Sequence, residues 1–122
     1  MTNVVLLEKT MQRIERGADW CQTNWCRCFA GNALRELGFE VYDSKVPQYS
    51  TPLDGWNVTD RDGETRGIKD VAQRELGLTD EQADELFNAC NRMWDLRAIV
   101  NSLIEQAVGD EILQTMTEPQ LV

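Results

Sequence analysis

Apolar residues recur at helical spacing along most of the chain. Val4, Leu7, Met11 and Ile14 stand three and four apart, which places them on one face of a helix over 3–16. Thr2 or Asn3 can cap its start and Gly17 can close it. A second helix is expected over about 25–37, where Phe29, Ala33 and Leu37 repeat every four residues with Cys26, Ala30 and Leu34 beside them. Asn24 is available as its cap, and Gly38 followed by Phe39 has the form of a glycine C-cap. Ile68, Val71, Ala72 and Leu76 predict a third helix, ended by Gly77, with Leu78 folding back on it. Thr79 with Gln82 three residues later reads as a capping box for a fourth helix, and Asp80 and Glu81 suit its dipole. Ala83, Leu86, Phe87 and Cys90 would form its inner face, with Asn91 as the break and the next cap. Leu96, Ile99, Val100, Leu103, Ile104 and Ala107 then define a long helix over about 92–108, closed by Gly109, with one short extra helix over 110–116.

Residues 40–66 lack this periodicity. Pro47, Pro52, Gly55 and Gly63 mark turns, and Asp62-Gly63 is a tight-turn dipeptide flanked by residues 56–59 and 64–66, so a small β-hairpin is expected there. The fold class expected is therefore mainly α: a compact bundle of about five helices with an irregular central loop containing that hairpin. A chain of 122 residues fits one domain, read as 1–118 with the excursion at 40–66 and a frayed end at 119–122.

Composition changes this picture chiefly through what is missing. Histidine is absent. That excludes Ser-His-Asp and Cys-His hydrolases and metal sites built on imidazole, leaving no convincing catalytic set and an expectation of no enzymatic activity. No apolar run reaches the roughly 20 residues of a membrane span. The first residues, broken by Glu8 and Lys9, do not read as a signal peptide, so the expected compartment is the cytoplasm.

Charge is uneven. The net charge is −9, yet residues 1–53 carry six acids and six bases, whereas residues 54–85 carry ten acids against four bases. Such a chain has no general attraction to nucleic acid and suits a partner with a basic surface.

Trp20 to Gly38 holds three of the four cysteines, Cys21, Cys26 and Cys28, with Cys90 far downstream. Four thiolates can hold zinc or an iron–sulfur cluster. The spacing matches neither paired Cys-x2-Cys knuckles nor ferredoxin runs, and Cys26 and Cys28 stand about 200° apart around a helix. No resident metal is therefore expected, and the cysteine-ligated zinc or iron–sulfur protein is kept as an alternative. Cys26 or Cys28 beside Arg27 at a helix start could instead be a redox-sensitive thiol. An EF-hand frame on Gly63 fails, because it puts Val58 first and Lys69 twelfth. Asp80 with Asp84 and Glu81 with Glu85 read as a solvated helix stripe rather than a catalytic pair.

Trp20, Trp25, Tyr42, Tyr49, Trp56 and Trp94 are candidate anchors for a partner, since Trp and Tyr dominate interface energetics. The contact set expected is Trp20, Trp25, Tyr49 and Trp56 with the acids Asp54, Asp60, Asp62 and Glu64.

Two further stretches bear on origin. Cys28-Phe29-Ala30-Gly31-Asn32-Ala33 opens one helix; Leu76-Gly77-Leu78-Thr79, Gln82-Ala83, Leu86-Phe87 and Asn91 follow in order before the leucine-rich helix. In this the chain resembles a loosely defined family of small actinobacterial and actinophage proteins, over about half its length. The resemblance implies a helical fold and an actinobacterial or phage origin, and carries no activity. The extra Cys26 and the loop from Val41 to Arg66 depart from the pattern. The function expected is a small acidic protein-binding module, a phage-encoded modulator or inhibitor of a host protein in the host cytoplasm. An acidic mimic of DNA is a further alternative, weakened by the balanced charge of the first 53 residues.

Overall fold

A computed structural model of the chain describes residues 1–24, 27–42, 57–59 and 65–117; side chains are described except at 42, 57–59, 65–66 and 110–117. Among the described residues five helices and three short strands follow in the order α1 (Val4–Glu15), α2 (Phe29–Glu36), β1 (Val41–Tyr42), β2 (Asn57–Thr59), β3 (Thr65–Gly67), α3 (Ile68–Leu76), α4 (Asp80–Leu86) and α5 (Met93–Thr117). The fold is mainly helical, as the periodicity predicts.

α2 is the centre of the molecule. Six consecutive residues from Phe29 to Leu34 are buried, so this helix is enclosed around its whole circumference rather than along one stripe. Ala30, Gly31 and Ala33 keep its surface narrow, which lets α1 and α3 approach it closely. α1 contributes Leu7, Met11 and Ile14 to the same core, α3 contributes Ile68, Val71 and Leu76, and α5 contributes Leu96 and Val100. Burying each of the larger side chains contributes about 1.5–3 kcal/mol, the gain that offsets the ordering of the chain.

Several ends form as the local chemistry predicts. The Asn3 side chain accepts from the Leu6 amide at 3.0 Å and caps α1. Thr79 and Gln82 complete a reciprocal capping box on α4. Gly38 takes positive φ after α2, and the Phe39 amide returns to the Leu34 carbonyl at 2.9 Å.

Other boundaries move. α2 starts at Phe29 rather than near 25, because Cys28 is extended and serves as N-cap, while the Asn24 carbonyl accepts from the Arg27 and Cys28 amides in the preceding turn. Asn24 thus enters through its backbone rather than as the cap of the helix. Leu37 is the C-cap residue and 36% exposed, so the stripe ends at Leu34 instead. Gly109 does not close α5, which runs on to Thr117: its φ is not positive, and one glycine costs a helix only about 1 kcal/mol. Cys90 lies exposed beyond α4, not on its inner face, since that helix ends at Leu86.

Within the central excursion, β2 pairs antiparallel with β3, matching Thr59 to Thr65 and Asn57 to Gly67, as the expected hairpin requires. β1 adds a third strand through Val41 opposite Val58, giving the order β1-β2-β3. The proposed turn at Asp62-Gly63 lies outside the described residues.

Two long-range contacts hold the first residues and the last helix. The Asn3 amide donates to the Leu76 carbonyl at 2.8 Å, so residues 1–3 lie across the end of α3. Gly77 there has φ +68, and a Cβ on it would collide with the Met1 backbone. On the other side, Arg97 of α5 reaches across to α1, donating to Glu8 at 2.8 and 3.1 Å and to both oxygens of Glu15. These bonds hold both carboxyls below their ordinary value and raise the guanidinium further above its own.

Two predictions follow from these contacts. Gly77→Ala should lower stability by about 2 kcal/mol in chemical denaturation, since it combines left-handed strain with a backbone collision. The Arg97 network should show a signed pH dependence. Carboxyls depressed in the folded state stabilise it above their unfolded value near 4.5, and that contribution is lost as pH falls through the folded values. Each carboxylate is 37% exposed, so Arg97→Met should cost only about 1 kcal/mol at pH 7. The gap between the thermal melts of the two proteins should begin to narrow below pH 4.5 and close once pH has passed the lower, folded values; a gap that persists in strong acid would refute the linkage.

Candidate functional site

The loop from Gly17 to Cys28 is polar and bears tryptophan, yet it is held by buried hydrogen bonds. Gln22 is the residue that fixes it. Its Nε2 donates to the Leu86 and Asn88 carbonyls, each at 3.0 Å, so the loop is tied to the end of α4. Its Oε1 accepts from the Phe29 amide at 3.2 Å and from the Trp20 indole at 3.0 Å. The side-chain amide therefore uses two donors and both acceptor positions while only 7% of the residue is exposed.

This explains how α2 starts without a conventional cap. Cys28 makes no side-chain capping bond, and the first helical amide, Phe29, is instead satisfied by Gln22. Asn32, also buried, donates from Nδ2 to the Arg27 carbonyl at 2.9 Å, the Cys28 carbonyl at 3.0 Å and the Asp19 carbonyl at 3.3 Å. The loop is thus clamped from below by one amide and from the side by another. Sequence reasoning missed both residues, because an isolated Gln or Asn carries no periodic signal.

Trp20, the one member of the expected contact set among the described residues, is half-buried. It packs on the core, and its N–H is committed to Gln22. Trp25, Tyr49, Asp54, Trp56, Asp60, Asp62 and Glu64 lie outside the described residues.

The cysteines differ in environment. Cys28 is 1% exposed within the core, Cys21 is half-buried in the loop, and Cys90 is exposed in the α4–α5 connection. Cys26 lies outside the described residues, among which no group of three or more potential metal ligands converges. Cys21 has polar neighbours. Its Sγ lies 3.2 Å from the Thr23 hydroxyl, and hydrogen bonding by Thr23, supported by Arg27, pulls it below the ordinary thiol value. Two of the four acids of α4 are also engaged: Lys69 reaches Asp84 at 2.8 Å and Gln73 donates to Asp80 at 2.7 Å, binding α3 to α4.

The most exposed aromatic among the described residues is elsewhere. Trp94 at the start of α5 is 64% exposed, with Met93 at 37% and Ala89 and Cys90 also exposed beside it in the chain. The corner is rigidly built. Asn91 donates from Nδ2 to the Glu85 and Leu86 carbonyls at 2.7 and 3.2 Å, and so closes α4 instead of opening α5. Asp95 opens α5 by accepting from the Arg92 amide at 2.9 Å. The Arg92 guanidinium lies 5.2 Å from the Trp94 ring centroid, a cation–π distance. The sequence signal for Trp94 was its place off the stripe of Leu96, Val100 and Leu103.

Gln22→Leu should cost roughly 2–4 kcal/mol of unfolding free energy, because it removes partners from the Phe29 amide and the Leu86 carbonyl inside the molecule. Asn91→Ala should cost less, as its bonds lie nearer water. Equal costs in urea titrations would refute Gln22's central place.

No family model matches the chain, and no curated protein or solved structure matches it. No helix among the described residues is long and apolar enough to cross a membrane.

Proposed function

We propose that the chain is a small acidic protein-binding module that presents the α4–α5 corner to a protein partner. The observation that carries this reading is the exposure of Trp94, at 64%, on a turn locked by Asn91 and Asp95. A large ring held in water by a rigid backbone loses little conformational entropy when a partner covers it. Met93, Ala89 and Cys90 widen the apolar surface, and Arg92 supplies a charged edge. In this reading Trp20, Trp25, Tyr49 and Trp56, with Asp54, Asp60, Asp62 and Glu64, are further candidate contacts.

The net charge of −9 favours a partner with a basic surface, through faster encounter more than tighter holding. The resemblance to actinobacterial and phage proteins supports the narrower reading, in which the partner is a protein of the bacterial host and the chain modulates it.

Affinity capture from an actinobacterial lysate, followed by titration of the purified partner, tests this. A stoichiometric partner should be retained, and Trp94→Ala should weaken its binding about 30-fold while leaving the melting temperature nearly unchanged. Equal binding by wild type and variant would remove the corner from the interface. No partner above background would overturn the function itself.

A further inference from the structure

α1 carries Lys9, Arg13 and Arg16 four and then three residues apart, so all three lie on one face. Like charges at this spacing repel, and a compensating group is expected beside them. The structure supplies only part of one. These residues, with Gln12, Gly17 and Glu36 from the end of α2, line a cleft of about 530 Å³. That is the size of a small-molecule site. Three cations face one carboxylate there, in a chain whose net charge is −9.

Arg13 shows the imbalance at atomic level. Its Nη1 donates to Glu36 at 3.1 Å. Its Nε is shut off from solvent and has no hydrogen-bond acceptor among the described residues. With Nη1 on Glu36 and Nε closed off, Nη2 is the donor left to reach an oxyanion in the cleft, and bringing Nε into a bidentate pair requires the side chain to turn outward. Lys9 and Arg16 are exposed, and neither has an ion-pair partner among the described residues. The negative end of the α1 dipole accounts for cations in its last turn, but not for Lys9, nearly two turns earlier.

We propose that this cleft is a binding site for a small polyanion, a molecule carrying two or more phosphoryl or carboxylate groups. Lys9 and Arg16 are separated by about 10 Å along the helix axis, a span that two linked anionic groups cover better than one. Arg13 stands between them and takes the central oxygens, turning from its single bond with Glu36 to a shared arrangement. The site shares no residue with the α4–α5 corner, so it stands or falls separately from the protein-binding reading.

Pyrophosphate and citrate are the probes, titrated at constant ionic strength against sodium chloride. Binding is read by calorimetry and by amide shifts in heteronuclear magnetic resonance. One probe or both should bind saturably and move the Gly17 and Ala18 amides and the Arg13 Nε signal. The probe that binds more tightly distinguishes phosphoryl from carboxylate chemistry. Lys9→Gln with Arg16→Gln should weaken that binding at least about tenfold. Glu36→Gln should strengthen it, since the competing carboxylate is lost, and this variant keeps the test decisive if the double variant does not fold. No saturable binding by either probe, or binding that these variants leave unchanged, would overturn the proposal.

Discussion

The buried amide of Gln22 is the constraint on which the rest of the arrangement depends. It joins three elements that have no covalent reason to meet: the loop after α1, the first amide of α2, and the last carbonyls of α4. A primary amide is well suited to this, since it alone among uncharged side chains offers two donors and two acceptor positions. All are used, so a polar group sits inside the molecule without an orphaned atom. An ionised glutamate could not do the same work, as it lacks donors for the α4 carbonyls.

From that point the packing follows. Once the loop is held, Cys28 is placed at the head of α2 and the small residues Ala30, Gly31 and Ala33 bring its neighbours close. α1 and α3 close on it from two sides, and the first three residues lie over the end of α3 because Gly77 has no side chain to repel them. Arg97 then ties α5 to α1 through two carboxylates one and a half to two turns apart. Its contribution is modest for a surface network; the face of α5 that turns inward is the one carrying Leu96, Val100 and Leu103.

Chemistry and exposure are distributed accordingly. Groups that the sequence singles out are absorbed into structure: Cys28 in the core, the Trp20 N–H in the Gln22 bond, and Asp80 and Asp84 of α4 in contacts with α3. Among the described residues, what is left available is an aromatic corner at Trp94 and a cationic cleft beside Arg13, on a chain of net charge −9. The two are proposed to take different ligands, a protein partner with a basic surface and a small polyanion.

How much of this could be read from the residues depends on the range of the interaction. The Thr79–Gln82 capping box, the Asn3 cap, the α3 face and the glycine ends at Gly38 and Gly77 are all local, involving groups within a few residues of one another, and each was legible. Gly109 misled because glycine permits a helix end without compelling one. Cys90 and Asn91 misled because their place depends on where α4 stops, and two amides that close its end decide that, one of them from 64 residues away. The site divides the same way. That aromatic residues off the helical stripes were candidates for contact was visible; that Trp94 stands in water while Trp20 is hydrogen-bonded was not. By itself the sequence determined the helical class, most helix faces and the absence of imidazole chemistry, because periodicity and composition are properties of the chain. Tertiary structure alone decided the partners of Gln22, Arg97 and Arg13, because a hydrogen bond between distant residues exists only once the core has brought them within about 3 Å.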